Sequence, residues 1–173
     1  MEQKMKADLQ FDFLANPETS VITVKREFAG KRQLVWDCHT KSELLDRWFA
    51  PKPLTTKTKH MDFREGGYWL YAMVEPGGQE YWGRLDYQAI RPIHNYQALD
   101  GFSDETGALN PNLPRARWDV TFTDVPVGTL VTTVVAYNSP EELQKVIDMG
   151  MKEGLTSTLE RLDELLLVLN PQA

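Results

Sequence analysis

The stretch SPEELQKVIDMGMKEGLTSTLERLDELLLVLN, residues 139–170, decides the fold. Ser139-Pro140-Glu141-Glu142 is a helix start: a Ser N-cap, a Pro at the first helical position and a Glu three residues after the cap. From there Leu143, Ile147, Met151, Leu155, Leu159, Leu162, Leu166 and Leu169 recur at intervals of three and four, with Lys145, Lys152, Glu160 and Glu164 on the other side. The spacing predicts one amphipathic helix from Ser139 to Asn170, roughly 45 Å long at about 1.5 Å per residue. A single apolar stripe of that length exceeds what one ordinary helix covers, so its partner is a broad sheet.

Upstream residues supply that sheet. Leu9, Phe11 and Phe13 alternate with polar residues, Asn16-Pro17-Glu18-Thr19 turns, and Val21–Phe28 has the composition of a first full strand. Two short helices follow, Lys31–Cys38 and a second opened by the capping box Thr40-Lys41-Ser42-Glu43 and stopped by Ala50-Pro51-Lys52-Pro53. Beyond Pro53 the period becomes two, with strands over 54–64, 68–74, 79–90, 96–102, 118–123 and 129–137. Gly66-Gly67, Gly77-Gly78 and Pro126–Gly128 mark tight turns, and 103–115 is a long loop. The pattern is α+β: a curved antiparallel meander wrapped around a long C-terminal helix, with two short helices after the first strand. We expect a mobile tail over 1–8 and one domain over 9–173.

Composition narrows the function. The 173-residue chain carries a net charge of −6, which argues against nucleic acid or an anionic membrane surface as partner. Met1–Leu9 lacks the apolar core of a signal peptide, no apolar run approaches a membrane span, and the one cysteine, Cys38, leaves no internal disulfide. A cytoplasmic protein is expected. His39, His60 and His94 have no metal-ligand spacing, so neither metal nor cofactor is expected, and no nucleophile elbow, phosphate-binding loop or dinucleotide fingerprint occurs.

Several pieces in order resemble the START-like (SRPBCC) superfamily with its helix-grip fold, in the branch similar to the C-terminal domain of the activator of Hsp90 ATPase. They are Val35-Trp36, Arg47-Trp48-Phe49-Ala50-Pro51, Asp62–Gly67, Tyr81-Trp82-Gly83, Phe102–Gly107, Gly128-Thr129, and Gly154 with Leu159 and Leu162. The resemblance spans roughly Val21 to Leu167. It implies a hydrophobic cavity between the concave sheet and the long helix, opening near the two short helices. Where the family pattern usually has Trp after the glycine matching Gly154, this chain has Leu155, so the cavity lining differs there.

Alternation from the Gly66-Gly67 turn puts Trp69, Tyr71 and Met73 on one face and Tyr68, Leu70, Ala72 and Val74 on the other. The family's aromatic positions coincide with the first set, which is therefore turned inward. Tyr81, Leu85, Tyr87, Phe102, Trp118, Val120 and Phe122 follow by the same logic, and Asp100 shares parity with Phe102. The expected function is binding of a small hydrophobic or aromatic molecule, with Trp48, Trp69, Tyr71, Tyr81, Asp100, Phe102, Trp118, Met151 and Leu155 as contacts. The competing reading is a solid aromatic core.

Two further classes stay open. A cyclase or hydrolase acting on a polyketide-like ring would use Asp100 or His60 as acid or base, since a buried carboxyl without a cation shifts toward neutral pKa. A co-chaperone-like interaction module is the other. The separate N-terminal domain through which co-chaperone members engage Hsp90 is not in this sequence, which argues against a chaperone partner. A homodimer is open as well, since Leu130 and Val134 form an apolar set on the face opposite Val131 and Val135.

Overall fold

A computed structural model describes residues 9–170, so the tail expected over 1–8 lies outside the described residues. Eight strands form one antiparallel sheet in the order β1-β2-β8-β7-β6-β5-β4-β3. The strands are β1 (Phe11–Asn16), β2 (Val21–Phe28), β3 (Thr55–Met61), β4 (Tyr68–Val74), β5 (Glu80–Arg91), β6 (Asn95–Ser103), β7 (Arg117–Val125) and β8 (Gly128–Ala136). Six consecutive strands meander, and β8 returns beside β2. The helices α1 (Arg32–Thr40) and α2 (Ser42–Leu45) therefore carry the chain from one end of the sheet to the other. This is the α+β helix-grip architecture that the pattern predicts.

Register follows from the period of two. Trp69 faces Leu85 across β4 and β5, Leu85 faces Asp100 across β5 and β6, and Ala98 faces Trp118 across β6 and β7. One continuous concave face results. Trp36, Phe63, Tyr87, Tyr96 and Phe122 pack there mostly edge to face, with ring centroids 4.7–6.2 Å apart, and Tyr96 and Phe122 meet tilted at 6.3 Å.

The C-terminal segment departs from the expected single helix. It forms α3 (Pro140–Asp148) and α4 (Met151–Leu169), separated at Met149-Gly150. Gly150 sits at φ 89°, a left-handed conformation that glycine adopts without steric cost. The apolar stripe runs through the break, since Ile147 and Met151 are still four apart, and so hides it. Ser139 caps α3 as expected, its Oγ accepting from Glu142 N at 3.1 Å, while Glu142 Oε2 accepts from Asn138 N at 3.0 Å. The other expected capping box does not form. Thr40 ends α1 and donates its hydroxyl to Trp36 O at 2.9 Å, and α2 lasts one turn before irregular backbone carries Trp48 and Phe49.

Residues 107–109 of the long loop lie on the convex side. Gly107 O accepts from Arg84 Nη1, and Leu109 packs where a Gly101 side chain would stand, 2.5 Å from the position of a Cβ. Beneath it Asp86 pairs with both Arg84 and Arg115. This covers Leu70, which is 3% exposed although it faces away from the concave core.

Candidate functional site

The concave face of β4 to β6 is filled by its own aromatic side chains. Trp69 and Tyr71 stack with centroids 4.0 Å apart, and Phe49 meets them edge-on at 5.0 and 5.6 Å. Tyr71 lies flat because residue 83 is glycine: a Cβ there would stand 2.7 Å from the Tyr71 hydroxyl. Trp48 is buried, donating Nε1–H to Cys38 O at 2.9 Å, and Trp69 donates to Thr58 Oγ1 at 3.0 Å. Phe102 is half-buried opposite Gly83. Tyr81, expected inside, is 49% exposed, because it sits at the open end of β5 where its hydroxyl donates to Glu75 at 2.7 Å.

Asp100 stands on the concave face. Its carboxylate accepts from Ala116 N at 2.7 Å and from Trp118 Nε1 at 2.6 Å. Burial raises its pKa from 3.8 to about 6, and those two donors and the nearby Arg115 limit the rise. The nearby cation Arg84 is not its partner, since it engages Asp86. His60 is exposed on the opposite face, stacked on Tyr68 at 4.3 Å, so it forms no acid–base couple with Asp100. Among the described residues no group of three His, Cys, Asp or Glu could hold a metal ion, and no helix is long and apolar enough to cross a membrane.

Unfilled space lies elsewhere, under the first turns of α4. A cavity of about 30 Å³ opens between Val24, Arg26 and Phe28 of β2, Val131, Thr133 and Val135 of β8, and Met151, Leu155 and Leu159 of α4. Trp118 and His39 complete the wall. Beside it Arg26 pairs with Asp163 of α4 at 2.5 Å, the two side chains 6% and 7% exposed. His39 donates Nδ1–H to Val35 O at 2.8 Å, since a carbonyl can only accept. Burial lowers its pKa from 6.5 to about 4, so the ring is neutral at pH 7.

The chain matches the model of the Activator of Hsp90 ATPase homolog 1-like protein family over residues 29–167. It belongs to that family. Among solved structures it is similar to protein Ms6760 from Mycobacterium smegmatis, at 33% identity and TM-score 0.83, covering 91% of this chain and 96% of that one. A protein from Arthrobacter aurescens is similar at 26% identity and TM-score 0.84, with 90% of each chain covered. An AHSA1 protein from Silicibacter pomeroyi, at 19% identity and TM-score 0.69 over 86% of this chain and 98% of that one, shares the fold. No curated protein matches.

Within this Activator of Hsp90 ATPase homolog 1-like chain, Trp118, Met151 and Leu155 are the expected contact residues that line the cavity. Trp48, Trp69 and Tyr71 are packed side chains, and Asp100 reaches the cavity wall indirectly, through its bond to Trp118. The sequence reading missed Arg26, His39 and the β2 and β8 residues. A signal was present. Arg26 falls on the same alternation as Ile22, Val24 and Phe28, and Asp163 sits four residues after Leu159 on an apolar stripe. A charge on each of two apolar faces is the mark of a buried pair.

Proposed function

We propose that this protein binds a small, largely apolar molecule between β2, β8 and the first two turns of α4, within a single domain over 9–173. The observation that carries this reading is an asymmetry along α4. From Met151 to Ser157 no residue is buried, whereas Thr158, Leu159, Leu162, Asp163, Leu165 and Leu166 all are. The helix is anchored by its second half, and its first half lies over the unfilled space. A well-packed interface would leave no such gap, because voids forfeit dispersion contacts.

The resting volume of about 30 Å³ holds a water or two, far below a ligand pocket. Occupation therefore lifts the start of α4. Gly150 makes this inexpensive, since the left-handed residue already separates α4 from α3. Burying roughly 150 Å² of aromatic surface contributes about 4 kcal/mol at ~25 cal/mol per Å², which sets the working range near millimolar.

Titration with the fluorescent probe N-phenyl-1-naphthylamine tests the reading. The wild-type protein should bind saturably at one site, and Leu155→Trp, which places an indole in the cavity, should weaken binding at least tenfold while remaining folded. Absence of saturable binding, or equal binding by a folded Leu155→Trp, overturns it.

A further inference from the structure

We propose that the polar end of the ligand is a neutral hydrogen-bond acceptor, a carbonyl-type oxygen on an otherwise apolar molecule, received by the Nε–H of Arg26. The inference rests on the binding reading above and specifies its chemistry. Arg26 lines the cavity and is 5% exposed. Its terminal nitrogens are engaged: Nη1 donates to Glu27 O at 2.6 Å and to Asp163 at 3.2 Å, and Nη2 donates to Asp163 at 2.5 Å. Its Nε is buried and, among the described residues, has no hydrogen-bond partner. Phe28 lies under the guanidinium, 4.8 Å from ring centroid to Cζ, so the group cannot swing away without losing both the ring and the carboxylate.

A buried donor without an acceptor is a defect that native proteins seldom keep. A ligand oxygen repairs it. The local charge decides which oxygen. Asp163 already neutralises Arg26, so a second carboxylate would enter an apolar wall of Val24, Val131 and Val135 as an uncompensated charge. His39 offers no help to an anion: its one N–H is committed to Val35 O, leaving a lone pair on Nε2. Thr133 carries a hydroxyl, which can donate or accept, and so does not favour charge. Donor, neutral imidazole and apolar wall together fit a ketone, ester or quinone-type oxygen.

The test uses three probes of one size, acetophenone, ethylbenzene and benzoate, followed by 15N–1H correlation of the arginine Nε–H signals and by the methyl signals of Val24 and Val135 in the whole protein. Acetophenone should shift the Arg26 Nε–H peak and bind about fivefold to tenfold more tightly than ethylbenzene, the value of one hydrogen bond. Benzoate should bind more weakly than acetophenone. In Arg26→Met/Asp163→Leu the advantage of acetophenone over ethylbenzene should vanish. If acetophenone and ethylbenzene shift the methyls with equal affinity, or benzoate binds most tightly, the inference is overturned and the cavity reading stands. If no probe moves the methyls of the wild-type protein, both fail.

Discussion

Asp100→Asn should expose a pH dependence that the wild-type protein conceals. Asp100 carries a raised pKa of about 6 against an ordinary 3.8, so it supports folding when protonated. Its contribution is fully present below pH 3.8 and lost as pH rises through 6. His39 carries a lowered pKa of about 4 against 6.5, so its contribution is present above pH 6.5 and lost as pH falls toward 4. At roughly 1.4 kcal/mol per pH unit each amounts to about 3 kcal/mol, and over pH 4 to 6.5 they oppose one another. Removing the carboxyl leaves the histidine unopposed. Urea unfolding followed by tryptophan fluorescence, at half-unit steps from pH 7.5 to 4, gives the stability of each protein. The difference, wild type minus Asp100→Asn, should grow by about 2–3 kcal/mol in favour of the wild type as pH falls, and taking that difference removes the shared titration of surface carboxylates. A difference that stays flat across the range would refute the burial of an ionisable carboxyl at Asp100.

Breaking the Arg26–Asp163 pair by Asp163→Leu alone should cost about 3–5 kcal/mol in chemical denaturation, whereas Arg26→Met/Asp163→Leu should fall within about 2 kcal/mol of wild type, because the stranded charge is gone. Gly83→Ala should destabilise by about 1–3 kcal/mol and shift the Tyr71 ring signals by NMR, since its methyl occupies the space of the phenol. Gly154→Ala should raise the melting temperature, by about 0.5–1 kcal/mol of stability, because among the described residues only Pro51 lies nearby, at an ordinary 3.8 Å, and the helix loses a glycine.

Fold and site were legible to different depths. The alternation of Trp69, Tyr71 and Met73, and of Trp118, Val120 and Phe122, separates two faces, because a period of two leaves only two choices, and the family resemblance picks which of them turns inward. Parity says where a side chain points and not whether space remains in front of it. Trp69 and Tyr71 close that space by stacking on one another, which depends on the missing Cβ of Gly83 on the neighbouring strand. The break at Gly150 escaped because one residue in a left-handed turn does not disturb a stripe read at three and four. Arg26 and Asp163 are 137 residues apart, and each taken alone is a charge on an apolar face; only the return of β8 beside β2 and the docking of α4 bring them together.

The central claim is that the start of α4 is the movable wall of a binding site, and backbone hydrogen exchange along that helix tests it most directly. In the free protein the amides of residues 154–157 should exchange faster than those of 159–166, and N-phenyl-1-naphthylamine should slow exchange in the first group and in β2 and β8 while leaving the second unchanged. Uniform exchange along α4 that the probe does not alter would contradict it.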